Sequence, residues 1–272
     1  MDPIPSGATP RGPLARRTPE RDDGALGWRD AWRARSLRRR LLIGVSVVSA
    51  AVVLFIAAGF VYILTLPGVG DAEARVERLL AEHGGVPSPL PPPAKLGRAV
   101  VEVEDENFYA NVGINILDGA GRAALATLQS GGDPGGSTIG QQLAKRLYPH
   151  SAGLGGTLEE IGLAVKLSLR YSKEQILNMY LNAIYYGNGY WGDVAAARGY
   201  FGLSPRNLTW GEATMLAGLP QAPSAYDPKR HWALARQRQR HVLDQLVDND
   251  FFSAARAAAV FRERLPLRSW IE

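Results

Sequence analysis

Two short blocks hold most of the chemistry open to this chain. Glu104-Asp105-Glu106-Asn107-Phe108 sets a carboxylate beside an aromatic side chain. Gly135-Gly136-Ser137-Thr138-Ile139-Gly140-Gln141-Gln142-Leu143-Ala144-Lys145 is a glycine-rich entry into a predicted helix carrying hydroxyls, amides and one ammonium. A helix N-terminus presents free backbone N–H groups and a positive dipole end, so the second block suits an anion. Together they read as an acid/base residue facing a polyanion cradle, which points to transfer chemistry on a phosphate-bearing substrate. Lys145 adds to this, because a cation in the early turns of a helix is electrostatically out of place unless an anion sits there. Ser137 or Thr138 has a second reading as a plain helix cap, with Gln141 as its box partner.

The elements that must position these residues are helices. Leu96, Val100 and Val103 form an apolar stripe that delivers Glu104 to a helix end. Capping-box patterns recur at Thr138…Gln141, Thr157…Glu160, Ser172…Gln175 and Thr209…Glu212. In the second of these, Glu160 occupies a position where glutamate is favoured for purely structural reasons. Ile176, Leu177, Tyr180, Leu181 and Ile184 keep helical spacing, and Gly202, Gly218 and Leu219-Pro220-Gln221-Ala222-Pro223 punctuate the later helices. No run alternates well enough for a sheet, so the fold class is mainly α. Residues 229–247 are Arg-rich (Arg230, Arg236, Arg238, Arg240) with Trp232, Val242, Leu243 and Leu246, the pattern of a solvated face opposite a packed one.

The totals exclude several classes. With no cysteine among 272 residues, disulfides, thiolate nucleophiles and zinc–thiolate sites are ruled out. Residues 1–40 hold ten Lys/Arg against five Asp/Glu, which is the whole net charge of +5. The basic excess therefore belongs to a tail and gives no support to a nucleic-acid partner. Leu41 to Leu66 carries no charge at all and, as a helix, spans about 39 Å, enough to cross a bilayer core of about 30 Å. The run is too long and starts too far in for a cleaved signal peptide. Arg33, Arg35, Arg38, Arg39 and Arg40 immediately before it place the N-terminus in the cytoplasm and residues 67–272 outside.

The expected organisation is a disordered basic tail (1–40), a transmembrane helix (41–66), and a juxtamembrane helix with a Pro-rich linker (67–94). A main helical domain (95–250) and a C-terminal helical tail (251–272) follow. The juxtamembrane helix runs from Asp71 to His83, and the linker is Val86-Pro87-Ser88-Pro89-Leu90-Pro91-Pro92-Pro93.

The segment from about Lys95 to Leu246 resembles the glycosyltransferase domain of peptidoglycan polymerases, the family 51 transglycosylases. Glu104-Asp105…Phe108…Gly113 resembles the first motif of that family and Gly135–Lys145 the second, while Glu160 sits where the third carries its glutamate. Ile176-Leu177…Tyr180-Leu181-Asn182 with Gly187-Asn188-Gly189 resembles the fourth. Ala195-Ala196-Ala197-Arg198, Tyr200-Phe201-Gly202, Glu212 and Leu216 to Ser224 resemble the fifth. Five ordered blocks over some 150 residues make a specific signal.

The resemblance implies a lysozyme-like helical fold with a membrane-touching jaw subdomain. It implies a monofunctional, inverting enzyme that polymerises lipid II into β-1,4-linked glycan strands and releases undecaprenyl diphosphate. Glu104 would be the general base on the acceptor GlcNAc 4-hydroxyl, and Glu160 would help the donor diphosphate leave. Asp105, Phe108, Ser137, Thr138, Gln141, Gln142, Lys145, Arg146 and Arg198 would bind substrate, with Arg122 at a further family position. A divalent ion (Mg or Mn) is a possible helper, no organic cofactor is implied, and no transpeptidase motif of the Ser-x-x-Lys type is present. Partners would be lipid II, the lipid-linked glycan chain, the membrane and other cell-wall synthesis proteins.

The chain departs from the family pattern in two places. Asn111 and Asn115 stand where the first motif carries a histidine and an aspartate, and Gly156 and Thr157 stand where the third carries Arg-Lys. A departing diphosphate needs cations or a metal to compensate it. Those left for the purpose are Lys145, Arg146, Lys166 or a divalent ion. A lipid II-binding scaffold with weakened catalysis and a lysozyme-like hydrolase are therefore the alternative readings.

Overall fold

The computed structural model describes residues 24–109 and 137–268. Asn111, Gly113, Asn115, Arg122, Gly135 and Gly136 lie outside the described residues, as do residues 1–23 of the basic tail.

Helix α1 (Gly24–Thr65) contains the apolar span, and its stretch Leu42–Thr65 is long and apolar enough to cross a membrane, with none of that surface buried. From Gly59 onward the chain is one compact unit. It consists of α2 (Ala72–Glu82), α3 (Ala94–Glu104), α4 (Ile139–Leu147), α5 (Gly153–Arg170), α6 (Lys173–Ala183), α7 (Gly192–Phe201), α8 (Trp210–Gly218), α9 (Trp232–Asp248) and α10 (Ala254–Phe261), with two short 3-10 turns. Among the described residues there is no β-strand, only an isolated antiparallel bridge between Tyr185 and Trp191.

The helices form because their apolar residues repeat at helical spacing and their starts are capped. Leu96, Ala99 and Val100 are fully buried on α3, as are Tyr180 and Leu181 on α6. Three of the four capping boxes close as expected, at Thr138/Gln141, Ser172/Gln175 and Thr209/Glu212. The fourth does not. Helix α5 starts at Gly153, four residues earlier, so Thr157 lies inside it and its hydroxyl donates back to the Gly153 carbonyl. Glu160 is thereby two turns into a helix, and the capping explanation for it fails.

The core reaches beyond the expected domain boundary. Val69, Ala72, Val76 and Leu80 join the same apolar cluster as Leu181 and Leu216, and α2 packs on α6. The Pro-rich stretch is stapled rather than free. The Ser88 N–H donates to Asn182 Oδ1 at 2.7 Å, and Arg206 donates to the carbonyls of Pro89 and Pro91. Its lack of helical hydrogen bonds, obligatory for consecutive prolines, is compensated by side chains from α6 and from the turn after α7.

Three groups of contacts fix the region that matters for chemistry: α3 packs on α8 and α9, α4 packs on α5 and α6, and α8 packs on α9. Glu104, the last residue of α3, sits where the first and second of these groups meet.

Candidate active site

Glu104 is clamped from two sides. Its Oε2 accepts a hydrogen bond from Gln142 Nε2 at 2.8 Å, and Gln142 Oε1 in turn accepts from the Tyr180 hydroxyl at 2.8 Å. Its Oε1 lies 4.0 Å from Arg238 Nη2, and the Arg238 Nε–H donates to the Gly218 carbonyl at 3.2 Å. Only 14% of the Glu104 side chain and 9% of Arg238 are exposed, so the pair interacts with little screening by water. Burial lowers the Arg238 pKa while the nearby Glu104 carboxylate opposes that shift, and burial holds the Tyr180 phenol well above its ordinary range. Tyr180 is therefore a proton-bearing donor that orients Gln142, and Gln142 presents its amide N–H side to Glu104. Gly218 makes room for the arginine, since a Cβ there would sit 2.8 Å from Arg238 Cγ.

Asp105 does a different job. Its Oδ2 accepts the backbone N–H of Ile139 at 3.1 Å, tying the end of α3 to the first residue of α4. The Gln141 N–H is taken by the Thr138 hydroxyl, and the Thr138 N–H by Gln141 Oε1. Among the described residues, protein groups thus take the N–H of Thr138, Ile139 and Gln141 at the start of α4, while Gly135 and Gly136 of the expected cradle lie outside them. Asp105, Phe108, Thr138 and Gln141 line a small cleft closed by Ser168, Lys173 and Ile176. Lys173 places its Nζ 4.7 Å from the centre of the buried Phe108 ring. Ser137 is half-buried, and its carbonyl accepts a long 3.4 Å bond from Gln142 Nε2.

Lys145 lies at the other end of its helix from the one its residue pattern suggests. Helix α4 has only nine residues, so Lys145 and Arg146 fall in its last turn, where cations complement the dipole without any ligand. Both are exposed. The Lys145 Nζ lies 3.8 Å from Glu160 Oε1, and His150 Nε2 lies 3.5 Å from the same oxygen. Gln142 and Lys145 are three residues apart on one face of α4, about 4.5 Å along its axis. One helix face therefore touches Glu104 at one point and Glu160 at the next. Arg198 is exposed in the last turn of α7, and among the described residues no hydrogen bond or ion pair joins it to either carboxylate.

Among the described residues no three carboxylate or imidazole groups converge into a metal-binding set. The Lys145 ammonium already lies beside the Glu160 carboxylate, so a divalent ion there would compete with a cation in place.

A model of the transglycosylase family matches residues 84–247. The chain belongs to the transglycosylase family. This transglycosylase is 39% identical over 170 residues to penicillin-binding protein 2D of Bacillus subtilis, an alignment covering 62% of the chain and 24% of that protein. It is 38% identical over 175 residues to penicillin-binding protein 1A of Neisseria gonorrhoeae, covering 64% and 22%. The chain thus spans about a quarter or less of these longer relatives. A Cupriavidus necator protein named as a transglycosylase is 34% identical over 227 residues, covering 78% of this chain and 98% of that one.

Three contributors to the site of this transglycosylase escaped the reading of its sequence. Arg238 shares the packed face of Ala235, Val242 and Leu246, at offsets of three, four and eight, so spacing alone would have turned it inward. Tyr180 breaks an otherwise aliphatic stripe, and a buried tyrosine needs a partner for its hydroxyl. His150 lies in a stretch, residues 148–156, that holds no Arg or Lys, so it drew no attention as a partner for Glu160.

Proposed function

We propose that this transglycosylase polymerises lipid II. The acceptor GlcNAc 4-hydroxyl meets Glu104, which takes its proton as the oxygen attacks C1 of the lipid-linked chain. The C1–O bond to undecaprenyl diphosphate breaks, and a β-1,4 bond forms with inversion. A hydroxyl is a poor nucleophile until a positioned carboxylate accepts its proton in the transition state. The observation that carries the reading is the double clamp on Glu104, from Gln142 and Arg238, on an element whose far turn presents Lys145 beside Glu160. Lys145 and Arg146 then meet the charge that grows on the departing diphosphate. Asp105, Phe108, Thr138 and Gln141 act by shaping the junction of α3 and α4, and Ser137 and Arg198 act at the substrate's periphery.

The apolar span Leu42–Thr65 would anchor the chain by a single pass, with the N-terminus cytoplasmic and the catalytic domain outside. Both substrates are lipid-anchored, so confinement to one membrane reduces the search to two dimensions. Other cell-wall synthesis proteins are expected neighbours.

Detergent-solubilised full chain incubated with radiolabelled lipid II tests this. Long strands that a muramidase can digest are expected. Short soluble saccharides from preformed glycan would establish a hydrolase. Binding of lipid II without turnover would leave a scaffold.

A further inference from the structure

We propose that His150 supplies, in this chain, a further cation beside Lys145 that assists departure of the lipid diphosphate, with Glu160 acting to hold it in place. The inference rests on the lipid II reading above.

The motivating feature is Gly156. It stands where a basic residue belongs in the family resemblance, and its bare backbone has a structural use. A Cβ at Gly156 would overlap the Ser151 carbonyl oxygen, so only glycine lets the segment 149–152 lie against the first turns of α5. That segment is pinned there. The Ser151 N–H and hydroxyl donate to the two oxygens of Glu159 at 2.8 and 2.9 Å, which holds the Glu159 carboxyl below its usual range. The consequence falls on the preceding residue: His150 is brought to 3.5 Å from Glu160 Oε1. The bare backbone of Gly156 and the approach of His150 to Glu160 are thus parts of one arrangement.

The imidazole's surroundings suit a cation. Its Nδ1 lies 3.3 Å from the Tyr148 carbonyl oxygen and its Nε2 faces the Glu160 carboxylate. Both ring nitrogens thus face oxygen acceptors. The charged groups around it are Glu159 and Glu160 from α5 and Lys145 from α4. Lys166 is tied to the Leu66 and Pro67 carbonyls, which also border this region.

A cavity of about 340 Å³ adjoins the ring. Leu66, Pro67, Pro149 and Leu163 give it an apolar wall, and His150 and Glu159 a polar one, next to the end of the membrane helix. An isoprenoid joined to a diphosphate has the same two-sided character. As the C1–O bond breaks, its electron pair passes to the diphosphate oxygen. Lys145 and the His150 imidazolium meet that charge, while the acceptor proton goes to Glu104.

The test compares wild type, His150→Arg and His150→Gln as full chains on labelled lipid II from pH 6 to 8.5, at saturating substrate. Wild-type kcat relative to that of His150→Arg is expected to fall roughly tenfold across this range, because the imidazole loses its charge and the guanidinium does not. His150→Gln is expected to lie roughly tenfold below wild type at pH 6, with an unchanged Tm and a pH profile as flat as that of His150→Arg. Parallel pH profiles for all three proteins would overturn the role of His150 and leave the polymerase reading intact. Absence of polymer from wild type at every pH would overturn both.

Discussion

At the residue scale, the proposed chemistry depends on how Glu104 is held by Gln142 and Arg238. The place of Glu104 at the end of a helix was legible because the apolar stripe of Leu96, Val100 and Val103 leads to it. The holding groups were legible only in part, since Arg238 and Tyr180 are separated from it by more than 70 residues of chain and reach it through packing of α6 and α9. Tyr180→Phe removes the hydroxyl that orients Gln142 while leaving the ring's packing unchanged. The lost hydrogen bond contributes about 1 kcal/mol, so kcat is expected to fall several-fold with KM unchanged in the polymerisation assay. An unaltered kcat would mean that Gln142 does not need orienting. Arg238→Met removes the charge beside Glu104 Oε1 and strips the Gly218 carbonyl of its donor. A stability loss of about 1–3 kcal/mol is expected by denaturant titration, with a kcat deficit that persists where the variant is fully folded. Recovery of full kcat under those conditions would reduce Arg238 to a packing role.

At the element scale, local rules succeeded wherever a helix began at a polar cap and failed where glycines supplied the start. Thr138, Ser172 and Thr209 cap as their patterns require, whereas Gly153-Leu154-Gly155-Gly156 adds a turn ahead of Thr157 that no propensity argument favours. The short length of α4 likewise reversed the meaning of Lys145, because position along a helix decides which dipole end a cation meets. Thr138→Ala should cost about 1 kcal/mol and slacken the α3–α4 junction that Asp105 closes from the other side.

Helix α7 carries a second testable element. Asp193 in its first turn is fully buried with neither oxygen hydrogen-bonded, and burial lifts its pKa to about 6. The Ser88 hydroxyl and the Val194 amide pull that value partly back without reaching hydrogen-bond geometry. The folded state therefore holds this proton more tightly than the unfolded chain, whose carboxyl titrates near 3.8. Stability is lost as pH rises from that value to about 6 and the loss is complete above it. Asp193→Asn is expected to raise stability by about 2 kcal/mol at pH 7.5, with the gain shrinking between pH 6 and 5. A constant difference from wild type across that range, read from urea midpoints, would contradict the assignment.

At the scale of the whole molecule, length and composition alone revealed an apolar span followed by a helical domain. The domain's beginning was less legible, because a run of prolines resembles a spacer until Asn182 and Arg206 are seen to hold it. Placing charge in the span gives a direct check on anchoring. Leu54→Arg with Phe55→Arg costs about 3 kcal/mol per residue at a helix centre, so the chain should move from the carbonate-resistant membrane fraction to the soluble one. Retention of the double variant in the membrane would locate the anchor elsewhere. Glycan polymerisation with Glu104 as the base is put to the test by the kcat of Glu104→Gln on labelled lipid II, beside wild type of equal Tm. Loss of a positioned general base predicts a fall of roughly 10²–10⁴-fold. A variant that builds strands at the wild-type rate would exclude Glu104 as the base.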